Sequence, residues 1–148
     1  MHFVTGGAFN GKSRWVKEYY QLTDTPYEWI SAYQRKTVPE NFERTGTGVL
    51  SLIVLEGIEM WIKEWVEILE VHEIREKWQE LIRHWIEWEQ QHPLCKVVLI
   101  GNDLSKGIVP IDAKQRKWRD VTGWIYQDTV SASQRVDLVW YGINQQIG

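Results

Sequence analysis

The amino-terminal segment carries a glycine-rich pattern of the kind that binds phosphate groups. The pattern GxxxxGK(S/T) is matched by the run Gly6-Gly7-Ala8-Phe9-Asn10-Gly11-Lys12-Ser13. Glycines let backbone N–H groups converge on phosphates, and a helix that follows directs its positive end towards them. Lys12 would then reach the β and γ phosphates of a nucleoside triphosphate, and the Ser13 hydroxyl would help to hold Mg²⁺. The alternative is a tight strand-to-helix turn without a ligand, but such a turn would not need Lys12.

Two carboxylates follow apolar runs and are candidates for the metal site. A phosphate-binding loop needs a carboxylate from a neighbouring strand end to hold Mg²⁺ through water. Glu56 comes directly after the apolar run 49–55, and Asp103 lies just past the run 96–100. We expect Glu56 to be the first ligand and Asp103 to be its rival or a second ligand. The alternative for Glu56 is a glutamate at a helix N-terminus, stabilised there by the helix dipole.

A third cluster of chemically capable residues is Arg116-Lys117-Trp118-Arg119-Asp120, within a segment that we expect to be helical. Arg119 near a phosphoryl acceptor would neutralise the charge that develops during transfer. Arg116 and Asp120 are four residues apart, so a plain surface ion pair explains the cluster equally well. Spacing alone leaves both interpretations open.

These residues need elements that position them, and the sequence predicts five strands and four helices. Apolar runs predict strands at residues 1–5, 27–32, 49–55, 96–100 and 136–141. Helical periodicity covers residues 12–21, 58–91 and 113–131. We expect two helices in the stretch 58–91, with a break near residues 71–73, because one helix of that length is unusual in a small domain. The order of elements predicts an α/β fold of the P-loop NTPase type: a mainly parallel sheet with helices on both faces.

A polar segment and a set of regularly spaced tryptophans are best explained by structure rather than by chemistry. Residues 33–48 are polar and contain Pro39, Gly46 and Gly48, which indicates a mobile loop. Five of the ten tryptophans recur at helical spacings, which indicates core packing or a subunit interface rather than ligand stacking. These are Trp61, Trp65, Trp78, Trp85 and Trp88.

Length and composition bound the class of protein. The 148 residues predict one domain over residues 1–148. A net charge of −3 argues against a broad electrostatic contact with nucleic acid or anionic lipid. The single cysteine, Cys95, cannot form an internal disulfide, so a reducing, cytoplasmic location fits best. No apolar run approaches the ~20 residues of a membrane helix, and the opening residues do not have the pattern of a signal peptide.

Two parts of the sequence resemble a known family. The first is the opening, residues 2–8 with 11–14. The second is the last third, where a strand leads to Asn-Asp, GIVP, Trp-Arg-Asp-x-x-Gly-x-x-x-Gln and a last strand near glycine: residues 96–103, 107–110, 118–127 and 136–142. This succession is similar to that of the bifunctional adenosylcobinamide kinase/adenosylcobinamide-phosphate guanylyltransferases, with residues 52–56 as the linking strand that carries the metal carboxylate.

The resemblance implies a P-loop α/β transferase that assembles as a homotrimer and acts in cobalamin biosynthesis or salvage. In the first of two reactions, a nucleoside triphosphate phosphorylates the hydroxyl of the aminopropanol arm of adenosylcobinamide. In the second, GTP donates GMP through a guanylylated histidine. The sequence does not decide between ATP and GTP, because it has no base-reading motif such as NKxD.

The sequence also departs from this family. The family carries its GMP-accepting histidine after the second strand, whereas residues 33–48 contain no histidine. The four histidines lie elsewhere: His2, His72, His84 and His92. The family's Asn-Glu is Asn102-Asp103 here, and its Asn-Gln is Tyr126-Gln127. We therefore expect a Mg²⁺-dependent kinase that is limited to the first reaction.

Two alternatives stay open beside the kinase. In one, both reactions survive and guanylyl transfer takes another route. In the other, the chain is a non-catalytic regulatory subunit that binds nucleotide. Retention of Lys12, Ser13 and Glu56 speaks against the regulatory subunit, since a passive binder could lose the residues that hold the metal.

Overall fold

The computed structural model describes residues 1–42, 51–105 and 107–148. In chain order, its strands are β1 (His2–Gly6), β2 (Tyr27–Ser31), β3 (Ser51–Glu56), β4 (Cys95–Asn102), β5 (Arg135–Trp140) and β6 (Ile143–Gln146). Its α-helices are α1 (Lys12–Tyr19), α2 (Ile58–Val66), α3 (Val71–Gln91) and α4 (Ala113–Ala132). A short 3₁₀ turn, Ala32–Gln34, follows β2 directly.

The six strands form one sheet in the order β2-β3-β4-β1-β5-β6. The first five strands of that order run parallel, and β6 pairs antiparallel with β5. The predicted α/β fold with a mainly parallel sheet is confirmed. β1 lies between β4 and β5, so the loop that follows it opens in the middle of the sheet, where ligands bind in open parallel sheets.

Alternate residues of the central strands feed two hydrophobic cores, one on each face of the sheet. Phe3, Leu55 and Leu99 point to a large core that includes side chains of α2, α3 and α4. Their neighbours Val4, Val54 and Val98 point to a smaller core around Val16 of α1 and Leu22. This period of two explains why the strands read as nearly continuous apolar runs: both faces are covered.

The tryptophan stripe belongs to the larger core, as expected for packing. Trp61, Trp65, Trp78 and Trp85 are buried, and Trp88 packs against them from a partly buried position. Trp61 Nε1 donates to the carbonyl oxygen of Lys36 at 2.9 Å, and Trp85 Nε1 donates to that of Pro39 at 3.0 Å. These two indoles therefore fasten the segment after the 3₁₀ turn to α2 and α3.

That attachment corrects part of the predicted mobile loop. Residues 33 and 34 belong to the 3₁₀ turn, and Val38 and Phe42 pack against the larger core. The sequence did not reveal this, because polar residues dominate the segment and Pro39 interrupts it. Residues 43–50 lie outside the described part of the chain, so the rest of the loop prediction and the predicted first two residues of the third strand lie there as well.

Most element boundaries lie within two residues of the sequence prediction, and two differences are larger. The break between α2 and α3 falls at residues 67–70, slightly earlier than expected, and the Glu73 carboxylate accepts from the Glu70 N–H at the start of α3. The sequence predicts no strand after residue 141, yet β6 is present and pairs with β5 along its whole length. Within the described residues, no helix is long and apolar enough to cross a membrane.

Candidate active site

The phosphate-binding pattern forms a loop between the carboxyl end of β1 and the start of α1. Gly6 has a φ of +150°, and a Cβ at this position would lie 2.2 Å from the carbonyl oxygen of Val139 on β5. Only glycine can therefore turn out of the sheet here. The Asn10 carbonyl oxygen accepts from the N–H of Gly142 at 2.9 Å, which ties the loop to the turn between β5 and β6.

Lys12 is the first residue of α1 and is 7% exposed, which is unusual for a lysine. Its Nζ donates to the carbonyl oxygen of Gly7 at 2.8 Å, inside the loop. Burial lowers the pKa of Lys12, while the nearby carboxylates of Glu59 and Glu56 act to raise it. The Lys12 ammonium group is therefore buried inside the loop, where a bound phosphate would give it a negatively charged partner.

Ser13 and Glu56 meet beside the loop. The Ser13 hydroxyl donates to Glu56 Oε2, and Glu56 Oε1 accepts from the Ser31 hydroxyl at 2.8 Å and from Trp29 Nε1 at 3.3 Å. Glu56 is the last residue of β3, so neighbouring β2 supplies the two latter donors. The carboxylate is held in one place by three uncharged donors.

A cavity of about 440 Å³ opens at this point. Gly11, Lys12, Ser13 and Arg14 line it from the loop and α1. Tyr33, Glu56, Ile100 and Asn102 line it from the carboxyl ends of the neighbouring strands and the 3₁₀ turn. Of the eight residues that the sequence predicts to bind nucleotide, Ala8, Phe9, Gly11, Lys12 and Ser13 line this opening, whereas Gly6, Gly7 and Asn10 do not.

A second carboxylate lies behind the wall of this cavity and was not expected from the sequence. Glu59, on the first turn of α2, is 1% exposed. Its Oε2 accepts from the Tyr33 hydroxyl at 2.5 Å, and its Oε1 accepts from the Asn102 N–H at 2.9 Å. Burial raises the pKa of Glu59, although these hydrogen bonds and Lys12 oppose the rise. A buried carboxylate of this kind marks candidate functional sites.

Asp103 and Arg119 are placed next to the site but not in the cavity wall. The N–H of Asp103 donates to the carbonyl oxygen of Gly6 at 2.8 Å, so this residue lies beside the loop. Its Oδ1 accepts from the N–H and hydroxyl of Ser105 at 2.8 and 2.5 Å. Arg119 Nη2 donates to the carbonyl oxygen of Ser105 at 3.0 Å. The two residues are thus connected through Ser105, while Arg116 bonds the carbonyl oxygens of Pro110 and Ile111.

The residues at the loop fit a magnesium ion bound together with a nucleotide. Among the described residues, no group of three or more His, Cys, Asp or Glu side chains could hold a metal alone. Mg²⁺ at a phosphate site does not require such a group, because it keeps several waters and takes one or two protein oxygens beside the phosphates. The bonded hydroxyl and carboxylate of Ser13 and Glu56 are the oxygen donors that this mode of binding needs.

None of the four histidines lines the cavity. His2 is the first residue of β1, at the strand end away from the loop, and its Nε2 lies 2.6 Å from Asp137 Oδ2. His72 and His84 lie on α3, and His92 follows the end of that helix. The structure therefore brings no imidazole to the place where a nucleotide phosphate would lie.

The chain matches the family described as cobinamide kinase / cobinamide phosphate guanyltransferase (CobU) over residues 22–147. A search of the curated proteins finds no match. The family match begins after the phosphate-binding loop, so the loop is an observation separate from it.

Enzymes of this family are transferases that use a nucleoside triphosphate and act on a corrinoid in cobalamin biosynthesis. The match covers most of the chain, and the fold is the α/β fold that the family implies. This chain belongs to the cobinamide kinase / cobinamide phosphate guanyltransferase family.

Proposed function

We propose that this chain is a Mg²⁺-dependent kinase that transfers the γ-phosphoryl group of ATP or GTP to the hydroxyl of adenosylcobinamide. The observation that carries the proposal is the meeting of Lys12, Ser13 and Glu56 at one cavity beside the glycine-rich loop. Phosphoryl transfer depends on positioning and on charge stabilisation more than on covalent help from the protein. These three side chains supply both.

Each side chain has a distinct role in this reaction. The loop amides and the Lys12 ammonium bind and neutralise the β and γ phosphates. Ser13 and Glu56 would hold the metal ion, which when bound neutralises charge on the phosphate oxygens. Trp29 and Ser31 keep the Glu56 carboxylate in place by hydrogen bonding to its Oε1. Lys12 is already desolvated, so its interaction with an incoming phosphate is stronger than it would be at the surface.

Arg119 and Asp103 do not line the cavity, and we assign them supporting roles in the reaction. Asp103 adjoins the loop through its backbone, and Arg119 is linked to it through Ser105. We assign Asp103 as a second carboxylate that could hold the metal ion through water. Arg119 is assigned to charge stabilisation at the acceptor, after the guanidinium leaves the carbonyl oxygen of Ser105.

The guanylyl step is proposed to be lost. A guanylylated histidine must lie at the nucleotide phosphates, and no histidine lines the cavity. His2 is 1% exposed and hydrogen-bonded to Tyr20 and Asp137, so it is not available as a nucleophile. The lack of a histidine at the cavity argues against the histidine route alone. Bifunctional transfer by another route would yield a corrinoid that carries GDP.

The test is the mass of the corrinoid after incubation with adenosylcobinamide, Mg²⁺ and either ATP or GTP. A gain of one phosphate group and nothing more is the expected result. A corrinoid that carries GDP after incubation with GTP would contradict the loss of the second step. An unchanged corrinoid with both nucleotides would overturn the kinase assignment and favour the regulatory subunit.

A matched pair of lysine variants tests whether the lysine of the loop is required for phosphorylation. Lys12→Ala removes the buried ammonium, and Lys114→Ala removes an exposed one that pairs with Glu67 on the surface. We expect Lys12→Ala to lower the rate of phosphorylation by roughly 100-fold or more. Lys114→Ala is expected to keep the wild-type rate. Equal activity of both variants would contradict the role of the loop.

We also propose the domain organisation and the oligomeric state of the chain. The chain is proposed to act as one domain and to form the homotrimer that the family resemblance implies. Light scattering coupled to size exclusion measures this directly: a mass of three chains is expected, and a mass of one chain would contradict it.

A further inference from the structure

Phosphoryl transfer to an alcohol releases a proton, and the roles assigned to Lys12, Ser13 and Glu56 do not include taking it up. The Glu56 carboxylate already accepts from Ser13, Ser31 and Trp29, and the proposed metal site also depends on it. Another acidic side chain near the cavity wall is Glu59, which is 1% exposed and does not line the cavity itself. A proton from the cavity would need an intermediate group to reach it.

Tyr33 occupies that intermediate position. Its side chain lines the cavity and is 48% exposed, and its hydroxyl group reaches the buried carboxylate of Glu59. The hydroxyl donates to Glu59 Oε2 at 2.5 Å and accepts from Asn102 Nδ2 at 3.1 Å. A phenolic oxygen has two lone pairs, so one acceptor position is left for a hydroxyl group in the cavity.

The hydrogen bonds around Glu59 suit a carboxylate that is ready to receive a proton. Both of its oxygens accept, from Tyr33 and from the Asn102 N–H, which is the pattern of the ionised form. The titratable groups that face it are Lys12 of α1, Tyr33 of the 3₁₀ turn and Tyr126 of α4. Burial raises the pKa of Glu59, which makes it a stronger base than a carboxylate at the surface.

We propose that Tyr33 relays the proton of the acceptor hydroxyl to Glu59 as that hydroxyl attacks the γ-phosphorus. The acceptor O–H bond breaks as its proton moves to the Tyr33 oxygen, and the Tyr33 proton moves to Glu59 Oε2. The acceptor oxygen forms its bond to phosphorus while the bond to the oxygen that bridges the β and γ phosphates breaks. The nucleoside diphosphate leaves with that electron pair, and Glu59 returns its proton through Tyr33 to water after product release.

This inference rests on the proposed function and adds three residues to it. Tyr33 is a catalytic residue, because its oxygen touches the acceptor. Glu59 is the terminal base of the relay and also positions Tyr33. Asn102 is a positioning residue, since it bonds Tyr33 through its side chain and Glu59 through its backbone.

The experiment measures phosphorylation of adenosylcobinamide in a single turnover, with enzyme in excess, so that product release does not mask the transfer step. Tyr33→Phe keeps the ring and removes the relay oxygen. Glu59→Gln keeps the size and an acceptor but cannot take the proton. Their controls are Tyr27→Phe, at the opposite end of β2, and Glu64→Gln, exposed on α2.

We expect each relay variant to lower the single-turnover rate constant by roughly 100-fold. The nucleotide affinity of Tyr33→Phe is expected to stay within about two-fold of wild type, because the Tyr33 hydroxyl bonds Glu59 and Asn102 rather than the loop, and both controls are expected to match wild type. The wild-type rate constant should rise with pH through the titration of the Tyr33–Glu59 pair, and that rise should be absent from Glu59→Gln. A merely structural role for Glu59 would lower the rate without changing the shape of the pH profile.

The outcomes separate the relay from the proposed function. An inactive wild-type chain overturns both. An active wild type with an equally active Tyr33→Phe overturns the relay alone, and Tyr33→Phe settles this even where Glu59→Gln fails to fold. An unchanged pH profile in a folded, slowed Glu59→Gln also overturns the relay.

Discussion

The Glu56 carboxylate shows how much of a candidate metal site depends on single residues around it. Its charge is what a metal ion would need, but its position is set by Ser13, Ser31 and Trp29. Ordered ligands of this kind bind a metal ion at lower cost, because their orientation is fixed before binding. The indole of Trp29 contributes although tryptophan is not a metal ligand.

Replacing Glu56 by glutamine separates charge from shape at this position. Glutamine keeps the size and one acceptor oxygen, so the hydrogen bonds from Ser31 and Trp29 can persist, but the negative charge is lost. We expect the Mg²⁺ concentration for half-maximal phosphorylation to rise by about 10–100-fold. A magnesium titration of the activity measures this, with Glu64→Gln as the control. An unchanged magnesium requirement would exclude Glu56 as a ligand.

At the scale of elements, the junction between β3 and α2 decides where both acidic residues lie. Glu56 ends the strand, Gly57 turns the chain with a φ of +86°, and Glu59 falls on the first turn of the helix. A Cβ on Gly57 would lie 3.2 Å from the ring of Tyr33 and from Ala32. This turn therefore packs directly against the 3₁₀ turn that carries Tyr33.

Alanine at Gly57 is expected to destabilise the fold and to disturb the site. The left-handed conformation costs a residue with a Cβ about 1–2 kcal/mol, and the contact with Tyr33 adds to that cost. Urea denaturation measures the free energy of unfolding. Gly123→Ala is the matched control, because it lies within α4 with open space around its Cβ position and should gain about 0.5–1 kcal/mol. Equal effects at both positions would contradict the importance of the turn.

The contact between β1 and β5 depends on a buried polar cluster. His2 Nε2 lies 2.6 Å from Asp137 Oδ2, and His2 Nδ1 lies 2.6 Å from the Tyr20 hydroxyl. Arg135 also donates to Asp137, through Nε at 2.6 Å. Since Arg135 already balances the Asp137 charge, the hydrogen bonds fit a neutral imidazole that donates from Nε2 and accepts at Nδ1.

This cluster predicts a loss of stability in mild acid. Burial lowers the pKa of His2 from 6.5 to about 4, although the hydrogen bond to Asp137 opposes this. Between those values the unfolded chain binds the extra proton, so the free energy of unfolding falls as the pH drops from 6.5 towards 4. The His2 contribution to that fall is about 3 kcal/mol.

The measurement is urea denaturation across that range of pH, compared between wild type and His2→Gln. The variant lacks the titrating group, so its stability should depend less steeply on pH. His72→Gln, at an exposed position of α3, is the control and should keep the wild-type slope. Parallel pH dependences for wild type and His2→Gln would show that His2 is not the group responsible.

Local patterns predicted most elements, and the exceptions have physical reasons. The parallel strands are covered on both faces and therefore read as apolar runs. β6 is four residues long and exposed throughout, so its only signal is its pairing with β5. The break between α2 and α3 was predicted a few residues too late, because no glycine or proline marks it. Glu59 resembled a surface glutamate, because the groups that bury it come from Tyr33 and Asn102, far away in sequence.

At the scale of the whole molecule, strand order builds the site. Glu56 lies opposite Ile100, and Gly6 lies opposite Asn102, so the carboxyl ends of β3, β4 and β1 meet side by side. The sequence predicted Lys12, Ser13 and Glu56 as one site from the loop motif. It could not predict that β4 separates β1 from β3, and so it could not place Asn102 between the loop and Glu59.

Nucleotide binding should therefore stabilise the whole fold through this shared edge. A ligand that binds only the folded state at 100 times its Kd contributes about 2.7 kcal/mol, which corresponds to a rise in Tm of roughly 5–10 °C for a chain of this size. Thermal unfolding with and without magnesium and ATP or GTP measures the rise.

Lys12→Ala distinguishes binding at the loop from binding elsewhere. The buried ammonium lies in the loop, and burial without a phosphate lowers the pKa of Lys12, so a bound phosphate relieves an existing desolvation penalty. We expect the variant to lose most of the nucleotide-induced rise in Tm, whereas Lys114→Ala keeps it. The same rise in both variants would place the nucleotide outside the loop, and the site at the carboxyl ends of β1, β3 and β4 would then need another ligand.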